Sequence, residues 1–161
     1  MSPSPRSDEL TIVPLTPELH QALVARPLRH QTLKLFGADA AAEARHCNEY
    51  GYAVTVDGFP VAAGGLVPYW EGHAEAWLIL ADACAPRMVL RILTAARRRL
   101  DRWQTLPHLA RIQMFVRADA RWRNKFGLML GMTCEGVHRR WGPDGADYEC
   151  WARVAPRYGR P

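Results

Sequence analysis

The spacing of apolar residues changes several times along the chain, and each change predicts an element. The Ile12–Val13 pair reads as a short strand, after which Thr16 can cap a helix with Pro17 in its first position and Glu18 beside it. A second helix is predicted over Gln31 to Asn48, where Leu33, Leu35 and Phe36 lead into an alanine-rich stretch that ends before Gly51. From Tyr52 the period falls to two. Ala53 and Thr55 oppose Val54 and Val56, and Asp57-Gly58 is a two-residue hairpin signal. "HAEAWLILAD" then predicts a short, largely buried strand around Trp77 and Ile79, the central one of the sheet, with Gly72 and His73 in the preceding turn.

The clearest helix is "PRMVLRILTAARRRLDRW". Val89, Ile92, Leu93, Ala96, Leu100 and Trp103 form one apolar stripe, while Arg87, Arg91, Arg98 and Arg102 fall on another side. "ARIQMFVRA" follows as a strand, "DARWRNKFGLMLG" as a helix capped by Asp119, and "MTCEGVHRRW" and "DYECWARV" as strands joined through "GPDG". The predicted order is β-α-α-β-β-β-α-β-α-β-β. It implies a mixed α/β (α+β) fold, a largely antiparallel sheet with one parallel crossover and helices on both faces. Residues 10–154 are expected to form a single domain between an N-terminal tail, 1–9, and a C-terminal tail, 155–161.

Composition narrows the function classes. With 161 residues, 48% hydrophobic and 23% charged, the chain is ordinary for a globular protein, and no apolar run approaches the ~18–20 residues of a membrane helix. "MSPSPRSDEL" lacks the apolar core of a secretory signal, which points to an intracellular start. Cys47, Cys84, Cys134 and Cys150 make no C-x-x-C pair, so the expectation is buried reduced thiols and no metal. The net charge of +5 favours an anionic partner without identifying it. The tryptophans Trp70, Trp77, Trp103, Trp122, Trp141 and Trp151 lie on different elements and read as buried or half-buried packing. His46 and Cys47 are neighbours on a helix, do not face each other, and make a poor nucleophilic pair.

The element order, together with "VAAGGLVPYW…AEAWLIL", "IQMFVRADARWRN" and "LGMTCEGVHRRWGPDGADYECWARV", resembles the GNAT superfamily of acyl-CoA-dependent N-acetyltransferases over about residues 10 to 154. More narrowly, it resembles phage-encoded GNAT-like proteins, a group that includes internal virion proteins. The resemblance implies acetyl-CoA as cofactor and a small amine or a protein amine as acceptor. Glu75, on the strand similar to the family's central one, is the implied catalytic base. The backbone of Leu78, Ile79 and Leu80 is implied to hold the thioester carbonyl, and Arg87 or Arg91 to contact phosphate.

Three positions depart from the family pattern. The loop into the long helix reads "ADACAPRMVLRI" without the usual glycines, and Pro86 removes one N–H donor. Aligned on Leu130-Gly131-Met132, the family's asparagine and tyrosine fall on Ala120 and Gly127. The usual proton donor to the departing thiolate is therefore missing. These departures make the leading expectation a degenerate acetyltransferase fold serving a phage as a virion-associated or protein-interaction component. Its partners would be virion proteins or a host protein, in the virion or the host cytoplasm. The alternative is an active N-acetyltransferase with a nonstandard cofactor loop. A third reading, a basic nucleic-acid-associated protein, rests on the arginine stripe.

Overall fold

A computed structural model describes residues 9–29, 40–120 and 123–156. The described elements, in chain order, are β1 (Leu10–Pro14), α1 (Pro17–Val24), α2 (Ala40–His46), β2 (Tyr52–Val56), β3 (Phe59–Trp70) and β4 (Gly72–Leu80). After them come α3 (Pro86–Trp103), β5 (Leu109–Arg117), α4 (Arg123–Met129), β6 (Thr133–His138) and β7 (Tyr148–Val154). This is the order the sequence predicts. The strands form one seven-stranded sheet in the order β1-β2-β3-β4-β5-β7-β6. β4 and β5 run parallel, while β1–β2, β2–β3, β5–β7 and β6–β7 are antiparallel. The fold is thus mixed α/β with a largely antiparallel sheet, and β4 is its middle strand.

The contacts group the chain into two units. The first holds β1, α1, α2, β2, the start of β3 to Gly65, and Leu78–Cys84. Asp57 and Gly58 turn the β2–β3 hairpin with φ of 50° and 82°, the positive pair that a two-residue turn of primed type requires. Thr16 caps α1 by accepting from the Leu19 N–H, with Pro17 in the first helical position. Leu23, Ala53, Ala62 and Ala63 are fully buried in this unit. So are two polar side chains, His20 on α1 and His46 on α2, with Nε2 and Nδ1 3.0 Å apart. Beside them Gln21 on α1 donates to Glu43 on α2 at 2.9 Å. Of the helix expected over residues 31–48, the part from Ala40 is described and residues 31–39 lie outside the described residues.

The second unit holds Leu66–Trp77 and the chain from Ala85 onward. The stripe on α3 buries Ile92, Leu93 and Leu100, while Arg87, Arg91, Arg98 and Arg102 are exposed, as the spacing predicts. Arg153 on β7 reaches Asp101 at 2.5 Å and the Leu130 carbonyl at 3.3 Å, and Arg97 bonds the same aspartate. One expectation changes here. Gly72 and His73 belong to β4 rather than to a turn, because β5 pairs with the strand from Gly72 onward. The expected cap of the following helix by Asp119 adjoins residues 121 and 122, which lie outside the described residues, and the Asp119 carboxylate is bonded by Arg117 at 2.9 Å.

The burial of cysteine and tryptophan is also more varied than expected. Cys84 and Cys150 are buried and Cys47 half-buried, but Cys134 on β6 is exposed. Trp77 and Trp151 are core residues, whereas Trp70 is 65% exposed at the end of β3. Trp122 lies outside the described residues.

Gly127 on α4 explains one departure from the family pattern. A Cβ at this position would run into the six-membered ring of Trp151, which is itself buried. The glycine is there so that the helix can lie on the indole, and no tyrosine fits in its place. Gly127→Ala gains helix propensity of about 1 kcal/mol but overpacks a rigid ring. The net result is expected to be a loss of about 1 kcal/mol and a lower Tm in thermal unfolding.

Candidate active site

The register of β4 on β5 gathers the polar residues of the second unit. His73 pairs with Arg111 and Glu75 with Gln113. Alternation places His73, Glu75, Arg111, Gln113 and Phe115 on one face of these strands. Ala74, Ile112, Met114 and Val116 point the other way and are buried. The β4–β5 ladder ends at Glu75 and Gln113, although β4 continues through Ala76 and Trp77 and β5 continues to Arg117. Glu75 is therefore the last β4 residue paired to β5.

Glu75 is only 3% exposed, and the Tyr69 hydroxyl donates a hydrogen bond to its Oε2. Burial pushes its carboxyl above the ordinary glutamate value, and the Tyr69 hydrogen bond pulls partly back. A carboxyl in this state sits nearer the pH range in which a base can accept a proton from an amine. The tyrosine beside it was not anticipated by the sequence.

Tyr69 is held in turn by aromatic neighbours. Its ring stacks on Trp70 at 5.8 Å and meets His73 at 5.5 Å, while Trp70 meets His73 edge-on at 4.5 Å. Burial, and then Arg111, push the His73 imidazole below its ordinary value, and the amide oxygen of nearby Gln113, which favours a ring N–H, pulls partly back. The His73 Nε2 is buried and has no hydrogen-bond partner among the described residues. Arg111 bonds Gln113 Oε1 at 3.0 Å and forks onto Glu135 of β6 at 3.0 and 2.5 Å. Farther along the same face, Phe115 stacks on Trp141 at 4.2 Å.

The other predicted residues lie elsewhere. Leu78 is half-buried, Ile79 and Leu80 are buried, and the Leu80 carbonyl already accepts from the Arg29 N–H at 2.8 Å. Arg87 and Arg91 are exposed on the first two turns of α3. That helix starts from Ala85 without a side-chain cap, has Pro86 at its first position and carries no acid in its first turn. Its first N–H groups have no intrahelical acceptor, and the positive end of the helix dipole lies there. These features fit a phosphate group, although proline leaves one donor fewer than a glycine-rich turn would offer.

Ala120 follows β5 in a turn in which its N–H donates to the Arg117 carbonyl. It brings no polar side chain to the site. An open depression of about 580 Å³ lies apart from Glu75, lined by Arg117, Asp119 and Asp144 among others. Arg117 is already neutralised by both of those aspartates. Among the described residues, no group of three or more His, Cys, Asp or Glu could hold a metal ion. No described helix is long and apolar enough to cross a membrane.

No protein-family model and no curated protein matches the sequence. Solved structures do match in shape. YncA from Salmonella typhimurium, solved with its cofactor acetyl-CoA, is similar with a TM-score of 0.67 at 13% identity, over 94% of this chain and 97% of that one. The ribosomal-protein alanine N-acetyltransferase of Escherichia coli is similar with a TM-score of 0.63 at 19% identity, over 91% and 94%. RimJ of Mycobacterium smegmatis, in complex with CoA-disulfide, is similar with a TM-score of 0.63 at 20% identity, over 94% and 84%. At these identities the likeness concerns the fold, and the chain has the GNAT acetyltransferase fold.

Proposed function

We propose that the chain is an acyl-CoA-dependent N-acyltransferase in which Glu75 is the general base. The observation that carries this reading is the buried Glu75 carboxyl at the end of the β4–β5 ladder, held by Tyr69 and raised by burial. An amine nucleophile must lose a proton, and a carboxyl poised above its ordinary range can take it. When bound, acetyl-CoA supplies the activated acyl group. The remaining roles follow the fold alone: backbone of Leu78, Ile79 and Leu80 toward the thioester carbonyl, and Arg87 and Arg91 toward phosphate. The acceptor is a primary amine, either small or on a protein, in keeping with the alanine acceptor named for the Escherichia coli protein.

The test is release of free thiol from acetyl-CoA across a panel of small amines and peptides. Amine-dependent release supports the reading. Release that is absent throughout the panel, or independent of amine, contradicts it.

A second reading keeps the fold and drops the reaction, leaving a phage protein that serves as a virion-associated or protein-interaction component in the virion or the host cytoplasm. It draws on the missing tyrosine at Gly127 and on Pro86 at the head of α3. Copurification with mature phage particles, with no thiol release, is its expected outcome. The exposed arginines of α3 keep a nucleic-acid partner as a third reading, which requires binding that falls steeply with salt.

A further inference from the structure

We infer that Tyr69 is the positioning residue of Glu75, holding one carboxylate oxygen so that the other is turned toward the acceptor amine. This rests on the transferase reading above and adds a residue to it. Glu75 is 3% exposed, and among the described residues Tyr69 is the side chain that gives it a hydrogen bond. A buried carboxylate without a donor is costly and protonates instead, so one strong donor decides whether the group is available as a base.

The donor is itself restrained. Tyr69 is the penultimate residue of β3, and its ring meets both Trp70 and His73. Gln113, the register partner of Glu75, takes the Arg111 Nε–H. The rings of Trp70 and His73 therefore hold Tyr69 while its hydroxyl reaches the carboxylate it positions. Tyr69 is also 48% exposed, so it stands between the buried carboxyl and the solvent-facing side of the strand. Arg111 and Glu135 are the charged groups facing this network from β5 and β6, and they neutralise each other through the fork.

Tyr69→Phe removes the hydroxyl and keeps the ring with its stacking. Two readouts decide the proposal. In carbon-13 NMR of glutamate-labelled protein, with the Glu75 carboxyl assigned by its disappearance in Glu75→Gln, the Glu75 titration moves to higher pH in Tyr69→Phe. In the rate profile, the acid limb of kcat/KM moves the same way and activity near neutral pH falls about tenfold, while activity recovers at higher pH. A merely structural role would lower the rate equally at all pH values. An unchanged Glu75 titration overturns the proposal. If the wild-type chain releases no thiol with any amine, the transferase reading fails, and the NMR titration still decides whether Tyr69 governs Glu75.

Discussion

Glu75→Gln is expected to lower amine-dependent thiol release roughly 10²- to 10⁴-fold, the range that a positioned acid–base group contributes. Glutamine keeps the shape of the side chain and still accepts the Tyr69 hydrogen bond through its amide oxygen, so the fold should survive. What it loses is the capacity to take a proton. The loss should appear mainly in kcat rather than KM, because the base acts on the amine as it reacts and contributes little to uniform binding. In the wild-type protein the rate should fall as pH drops below the Glu75 value. That limb lies above the ordinary glutamate range, because burial raises the carboxyl. In Glu75→Gln the same limb should vanish. Stopped assays of kcat and KM from acid to alkaline pH check both statements.

Acid is expected to destabilise the first unit through the pair formed by His20 and His46. Their ring nitrogens lie 3.0 Å apart, and the residues are 1% and 2% exposed. Burial, with His20 and Arg45 adding to it, holds His46 down from 6.5 to about 4. His20 is also lowered by burial, against the attraction of Glu43. The sign follows from proton binding. Between pH 6.5 and about 4 the unfolded chain binds a proton at His46 that the folded chain refuses, so stability is full above 6.5 and is lost as pH falls toward 4. The loss is about 3 kcal/mol at its greatest. Urea unfolding of the wild type between pH 7 and pH 4 should show this drop. A His20→Leu/His46→Leu variant should show a shallower one, since what remains comes from carboxylates. Equal slopes in the two proteins would remove the pair from the account.

Local patterns made much of this fold readable. Asp57-Gly58 announced a hairpin because few other residue pairs tolerate two positive φ values, and the structure has both. The apolar stripe of α3 was visible because a helix 18 residues long repeats its period several times. Glu75 could be singled out because it lies on the strand that resembles the central strand of the GNAT superfamily. Its partner could not. Tyr69 meets Glu75 across the turn from β3 into β4, and no periodic pattern in the sequence reveals that approach. His20 and His46 are 26 residues apart, and each by itself looks like an ordinary helix residue. Trp70 was read as packing because the tryptophans lie on different elements, but at the end of β3 it is left exposed. Gly127 had registered only as a missing tyrosine, whereas Trp151 supplies the packing reason for the glycine.

Calorimetric titration of acetyl-CoA into the wild-type chain and into Glu75→Gln tests the proposed transferase most directly. Both proteins should bind the cofactor with similar affinity, and only the wild type should then release thiol when an amine acceptor is added. No heat of binding to either protein at millimolar acetyl-CoA would contradict the account.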